Sequence, residues 1–288
     1  MKSIWAEVEV TRKCNLRCKS CLFSCNDAAL DELTTTEITG LIDEFAQMNF
    51  EWLKLTGGEA LLRKDIFQII DYAKGKGLKV RLNSNCELID RKVARKLNVD
   101  LVQVSVDGLD ATNDWLRGDG TFKRTMDAIG FLVDNDIKVH SNTVVTQQNK
   151  GELIGLCDVL SSKGVCDLGF SRIIGTGRGS EVYDELHLST PELMRVKLKL
   201  MAHSRLKGYS LSFYGGFAYF INGCGASYFN PFVTSTGDVT PCCTIRDKVI
   251  LGNVRESSYR DIFRRYDGKR FSAPTGVFGN CNVCLKRI

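Results

Sequence analysis

Between residues 4 and 173 of this 288-residue chain, short apolar runs alternate with stretches of helical period, six times over. The runs fall at residues 4–10, 52–56, 78–83, 101–106, 137–145 and 167–173. Between them, residues 65–74 carry Ile66, Ile69, Ile70 and Ala73 at helical spacing, and Gly77 stops the pattern. Residues 90–97, 121–134 and 150–163 also read as helices. Thr34 and Glu37 form a capping box that opens another, with Ile38, Leu41, Ile42 and Phe45 on one face. Repeated strand–helix units imply a parallel sheet with helices outside it. The fold class is therefore α/β. Six units are too few to close an eight-stranded barrel, so a partial, open (β/α)6 TIM-like barrel is expected. Polar and glycine punctuation follows the strands, at Gly57-Gly58-Glu59, Asn83-Ser84-Asn85, Asp107-Gly108, Asn142 and Gly175. In α/β barrels those carboxyl ends of the strands carry the active site.

The loop after the first strand is the most unusual of these. Residues 10–26, VTRKCNLRCKSCLFSCN, place Cys14, Cys18 and Cys21 in a C-x3-C-x2-C spacing, followed by Cys25. Three thiolates this close suit three irons of a cubane cluster and leave the fourth iron open to a small molecule. Zinc is the alternative metal, although structural zinc usually shows two paired C-x2-C knuckles. The chain holds twelve cysteines, clustered towards its two ends. No secretory signal precedes them and no apolar run approaches the length of a membrane span. A soluble, cytoplasmic protein with ligand or reactive thiols, rather than cystines, is expected. A net charge of +5 without a Lys/Arg block gives no reason to expect nucleic-acid binding.

Beyond residue 190 the character changes. Residues 191–206 read as a helix and 209–213 as a strand. Residues 232–241 form a hairpin candidate turning at Gly237-Asp238, and 258–266 a last helix. Cys224, Cys242-Cys243 and Cys281-x2-Cys284 punctuate this part. The expected division is a barrel over residues 1–190 and a smaller piece over 191–288.

A C-x3-C-x2-C loop after the first strand of such a barrel resembles the radical S-adenosylmethionine (radical SAM) superfamily, over residues 4–174. The resemblance implies a [4Fe–4S] cluster on Cys14, Cys18 and Cys21, with the methionine amino and carboxylate groups on the free iron. Gly57, Gly58 and Glu59 match the motif that holds the methionine amino group. Ser84 and Asn85 match a third-strand position near methionine and ribose. Ser105 and Asp107 match a fourth-strand turn near ribose and carboxylate. Arg117 matches an arginine that pairs with the carboxylate, and Asn142 a fifth-strand position near ribose. One departure stands before the last cysteine: Ser20 replaces the family's frequent aromatic residue. The C-terminal pattern is similar to the SPASM/twitch extension, in its shorter twitch form. It implies a second [4Fe–4S] cluster, on Cys224, Cys242, Cys281 and Cys284, with a zinc clip of the same four residues as the alternative.

Five cysteines remain: Cys25, Cys86, Cys157, Cys166 and Cys243. The first four read as packing or loop residues. Pro241-Cys242-Cys243 and residues 21–25 resemble radical SAM epimerases of peptides, in which the second cysteine of the pair returns a hydrogen atom to the substrate radical. The resemblance therefore implies Cys243 as a catalytic thiol. It also implies a peptide or small natural-product substrate and a reductant such as flavodoxin or ferredoxin. A cluster loop starting at residue 14 leaves no room for a long N-terminal leader-binding domain, which favours a small or short substrate. Three other functions compete. A twitch-type dehydrogenase would need a base, with Arg172 as one candidate. Peptide crosslinking and a non-catalytic iron–sulfur protein are the others. Tyr214, Phe217, Tyr219 and Phe220 are candidates for pocket or core.

Overall fold

The computed structural model describes residues 5–214 and 231–265. The strands are β1 (Trp5–Glu9), β2 (Trp52–Thr56), β3 (Lys79–Ser84), β4 (Leu101–Ser105), β5 (Lys138–Val145), β6 (Asp167–Arg172), β7 (Ser210–Tyr214), β8 (Phe232–Val233), β9 (Asp238–Thr240) and β10 (Gly252–Asn253). The helices are α1 (Thr35–Gln47), α2 (Ile66–Gly75), α3 (Arg91–Lys96), α4 (Asp110–Arg117), α5 (Thr121–Val133), α6 (Leu153–Ser162), α7 (Tyr183–Leu186), α8 (Thr190–Lys207) and α9 (Tyr259–Arg265).

Strands β1 to β7 pair in chain order and in parallel, the arrangement that the strand–helix alternation predicts. The sheet runs further than six units. Strand β7 follows β6 in parallel, and β8 pairs with the far side of β1. The hairpin β8–β9 and then β10 extend that edge. Its turn spans the residues between β8 and β9, where Gly237 adopts φ +92°, which glycine tolerates without strain.

Alternation along each strand divides the side chains. Leu53 and Leu55 of β2 and Val80 and Leu82 of β3 are buried against helices. Lys54, Thr56, Arg81 and Asn83, at the alternate positions, line an interior cavity. The helical faces expected from the sequence are the buried ones: Ile38, Leu41, Ile42 and Phe45 on α1, and Ile66, Ile69, Ile70 and Ala73 on α2. The capping box on Thr34 and Glu37 is formed. The helix α9 docks through Tyr259, whose ring meets Phe45 edge-on at 4.8 Å. Each such fully buried side chain contributes about 1.5–3 kcal/mol.

Helices α4 and α7 were not expected. Both are short, and α4 is polar along most of its length, DATNDWLR, so apolar periodicity does not mark it. Among the described residues no helix is long and apolar enough to cross a membrane, and no cysteine forms a disulfide.

Candidate active site

The carboxyl ends of β1 to β6 surround one cavity of about 590 Å³. Cys14, Cys18 and Cys21 line it together with Ser20, Gly57, Gly58, Ser84, Asn85, Ser105, Asp107, Arg117 and Asn142. Residues expected from five different loops thus reach one space. Arg172, Arg178, Tyr214 and Cys243 line it as well. Cys224, Cys281, Cys284, Phe217, Tyr219 and Phe220 lie outside the described residues.

The glycines of the second loop are explained by contact with the first. The amide of Gly58 donates to the Thr11 carbonyl at 2.9 Å and that of Glu59 to the Lys13 carbonyl at 2.8 Å. A Cβ on Gly57 would stand 2.4 Å from Thr11 O, and one on Gly58 2.4 Å from Lys13 O. Both partners are backbone atoms of the cysteine loop. Gly58→Ala should therefore push that loop away, lowering stability by about 1–3 kcal/mol and weakening cluster retention. Thermal melting together with iron content after desalting measures both effects. An unchanged melting point would show that the two loops are not coupled in this way.

Glu59 is fully buried and holds two strand ends together. Its carboxylate accepts from the amide of Asn85 at 2.7 Å, from Ser84 Oγ at 3.1 Å and from the amide of Leu61 at 3.1 Å. Asn85 Nδ2 in turn donates to Asn15 Oδ1 at 2.8 Å and lies 3.8 Å from Cys14 Sγ. Glu59 thus acts on the cavity through Asn85. Burial raises its carboxyl to about 6. The folded state then holds the proton more tightly than the unfolded chain does. The resulting stability is present below about pH 4.5 and is lost as pH rises through 6, by about 2 kcal/mol. Relative to Glu59→Gln, which cannot titrate, wild type should lose that amount between pH 4.5 and 7 in denaturant unfolding. A constant difference would remove the carboxylate as its source.

Asp107 is also buried. It accepts from Arg117 Nη1 at 2.8 Å and from the amide of Val144 at 2.7 Å. Arg117 ends α4, the helix that sequence reading missed, and the carbonyl of the same residue lies 3.9 Å from Cys18 Sγ. Ser105 and Asn142 are register partners on β4 and β5. Arg178 had not been expected. It caps the cysteine loop, donating to the Cys18 carbonyl at 2.9 Å and to that of Cys25 at 3.2 Å. The run Gly177-Arg178-Gly179 was its signal, because both glycines pass within van der Waals reach of that loop's backbone.

The donor set fits a cluster better than a single ion. Among the described residues no three His, Cys, Asp or Glu side chains converge to hold one metal ion. A tetrahedral zinc site would bring thiolates to about 3.8 Å of one another. A cubane takes one thiolate at each iron corner, as three cysteines spread along one cavity allow. Burial pushes the thiols of Cys14 and Cys18 up, so they need a cation to ionise. A hydrogen bond from the Cys25 thiol lowers Cys21 to about 5. Cys25 is therefore tied to the Cys21 thiol, more than the packing residue its position suggested.

Cys243 opens a short 3-10 turn, Cys243–Ile245, after β9. Burial drives its thiol far up, with the Glu7 carboxylate adding to the effect. Both effects favour the neutral S–H. The next residues anchor the turn. Arg246 forms a buried ion pair with Glu9 of β1, and its guanidinium lies 4.4 Å over the Phe23 ring, two residues past Cys21. Cys157 and Cys86 are buried, as expected, while Cys166 is exposed.

A partial α/β barrel with three cysteines at the mouth of one cavity defines an iron–sulfur barrel protein. Comparison with known proteins is specific. The profile of the radical SAM superfamily matches residues 8–160, and that of the SPASM iron-sulfur cluster-binding domain matches residues 224–285. The chain belongs to the radical SAM superfamily. Its cofactors are accordingly S-adenosylmethionine and a [4Fe–4S] cluster, with additional iron–sulfur clusters implied by the SPASM domain. It is 31% identical to an AdoMet-dependent heme synthase of Methanosarcina barkeri, over 96% of this chain and 86% of the relative. It is likewise 31% identical to the mycofactocin maturase MftC of Mycolicibacterium smegmatis, over 96% and 74%. Its fold matches Streptococcus suis SuiB bound to S-adenosylmethionine, with a TM-score of 0.77 at 17% identity over 91% of this chain and 65% of SuiB. The enzyme anSMEcpe with bound AdoMet matches with a TM-score of 0.71 at 18% identity, over 90% and 80%.

Proposed function

We propose that this radical SAM enzyme epimerises a carbon centre of a peptide, with Cys243 returning a hydrogen atom. The observation that carries the reading is the Cys243 thiol on the wall of the cavity that Cys14, Cys18 and Cys21 also line, in surroundings that favour its neutral form. In this reading Cys14, Cys18 and Cys21 hold the cluster. Gly57, Gly58, Ser84, Asn85, Ser105, Asp107, Arg117 and Asn142 surround S-adenosylmethionine, with Glu59 holding Asn85 in place. Residues 1–190 form the barrel and 191–288 the connector and auxiliary piece, in a cytoplasmic enzyme served by a flavodoxin- or ferredoxin-like reductant.

The bound cluster and S-adenosylmethionine supply a radical that removes a hydrogen atom from an unactivated C–H bond. The protein's own groups do the rest. Abstraction leaves a planar substrate carbon without stereochemistry. The Cys243 S–H bond breaks and a C–H bond forms, from the other face, inverting the centre. One electron and one proton then restore the thiol. The adjacent residue, Cys242, is an expected ligand of the auxiliary cluster, which would supply electron-transfer chemistry there. Only a protonated thiol donates a hydrogen atom, and burial keeps Cys243 protonated.

A second reading is oxidative peptide maturation. The similarity to a mycofactocin maturase, and to SuiB in a structure with its precursor peptide SuiA, favours it. Mass spectrometry of candidate peptides after reaction in deuterium oxide separates the two. Unchanged connectivity with one solvent deuterium on carbon supports epimerisation. Loss of two hydrogens without deuterium on carbon sinks it and supports maturation.

A further inference from the structure

Below the cluster and cosubstrate residues, the cavity has a charged floor. Glu7 is in register with Lys54 and Lys54 with Arg81, so these three side chains lie abreast on β1, β2 and β3. All three line the cavity. Lys54 Nζ is 2.7 Å from Glu7 Oε1, which cancels both charges. Arg81 has no such partner among the described residues. Its guanidinium carbon lies 5.8 Å from the Trp5 ring centre, and its Nε is buried without a hydrogen-bond acceptor. One pleat further along β3, Asn83 Oδ1 is buried without a donor.

The other cavity arginines each have an oxygen partner, although Arg117 Nε, like Arg81 Nε, is buried without an acceptor. Arg117 is on Asp107, Arg178 on two carbonyls, and Arg172 donates to Tyr183 Oη at 3.0 Å. A guanidinium with a buried, unpaired N–H is costly unless an anion meets it. The cofactor end of the cavity is too far to supply one. Arg81 precedes Asn85, the residue beside Cys14, by four positions. At about 3.3 Å per residue its backbone lies about 13 Å deeper in the barrel. A ligand from the substrate side would meet both groups if it carried an anion for Arg81 and an N–H for Asn83. A peptide offers both.

We propose that Arg81 receives a carboxylate of the substrate while Asn83 accepts a neighbouring peptide N–H, which makes the substrate a carboxylate-bearing peptide anchored on the barrel floor. The proposal rests on reading the cavity as the substrate site. The guanidinium fork suits a carboxylate, and the anchor leaves the remainder of the ligand pointing up the barrel towards Cys14, Cys18 and Cys21. The carboxylate has two possible sources, an acidic side chain or the peptide's own C-terminus.

Calorimetric titration of the cluster-reconstituted enzyme, anaerobic and saturated with S-adenosylmethionine, tests it. The probes are N-acetyl-glutamate amide against N-acetyl-glutamine amide, and N-acetyl-diglycine acid against its amide. At least one acid should bind about tenfold or more tighter than its amide, the worth of one charge-assisted hydrogen bond. Which pair shows the preference identifies the source. Arg81→Gln should bring that pair within about twofold, and Arg81→Lys should keep part of the preference. The affinity for S-adenosylmethionine should be unchanged in both variants, which separates loss of the anchor from loss of the fold. Equal binding of acid and amide in the wild-type protein overturns the proposal without recourse to any variant. So does a preference that survives Arg81→Gln. The readout is binding without turnover, so its failure is distinct from failure of the Cys243 reaction.

Discussion

Cys243→Ala should abolish incorporation of solvent deuterium into product carbon while leaving cleavage of S-adenosylmethionine in place. The effect on inverted product should be roughly two orders of magnitude or more, the scale seen when a group acting directly on the reacting atoms is removed. The thiol is not needed for the abstraction step, so the variant should still consume cosubstrate and accumulate substrate radical or its quenched by-products. Cys243→Ser should behave similarly, because an alcohol O–H is a far poorer hydrogen-atom donor than S–H. The pH profile checks the protonation state that hydrogen return requires. An exposed thiol near its ordinary value would be largely thiolate by pH 9. Burial and the Glu7 carboxylate hold Cys243 above that, so inversion in the wild-type enzyme should stay flat from pH 7 to 9. Retained deuterium incorporation in Cys243→Ala would return the residue to being a packed thiol.

The second large effect is expected at the buried ion pair behind that turn. Arg246 and Glu9 are 4% and 1% exposed, and Glu9 also accepts the amide of Ser235 at 3.0 Å. Arg246→Ala leaves a buried carboxylate with one hydrogen bond and no counter-charge. The cost is about 3–5 kcal/mol, and for a chain of this size the melting temperature should fall on the order of 10 °C. The phenyl ring of Phe23 loses its cation at the same time, so the cysteine loop should loosen along with the 243–245 turn. Glu9→Leu combined with Arg246→Met should recover most of the stability, because an apolar pair of similar volume replaces two desolvated charges. A single variant as stable as wild type would mean that solvent reaches Glu9.

How legible these features were follows from how local their signals are. The barrel units were readable because each strand and helix has its own period, and because the core helices α1, α2, α5 and α6 are amphipathic. The cysteine loop was readable because three thiols fall within eight consecutive residues. Gly57 and Gly58 were readable as a turn, but the reason for them is a neighbour more than forty residues away, the backbone of Thr11 and Lys13. The helix α4 was lost because its eight residues hold only three apolar positions, too short a run to establish a period. Strand β7 and the hairpin β8–β9 were readable as strands, but not their places beside β6 and β1, since a strand's partner is not written in its own residues.

The same division holds for the site. The sequence by itself determined the residue types: thiols for a cluster, glycines for close approach, and acidic and amide groups after the strands. Periodicity and short-range spacing carry that information. Only the tertiary structure decided which charges meet. It turned the Glu59 carboxylate onto the backbone of Asn85 and set Arg178 on the carbonyls of the cysteine loop. It paired Glu9 with Arg246 across 237 positions, and Lys54 with Glu7, while leaving Arg81 without an ion-pair partner among the described residues. Charge pairing depends on distances between strands and loops far apart in the chain, and those distances exist only once the sheet has closed its register.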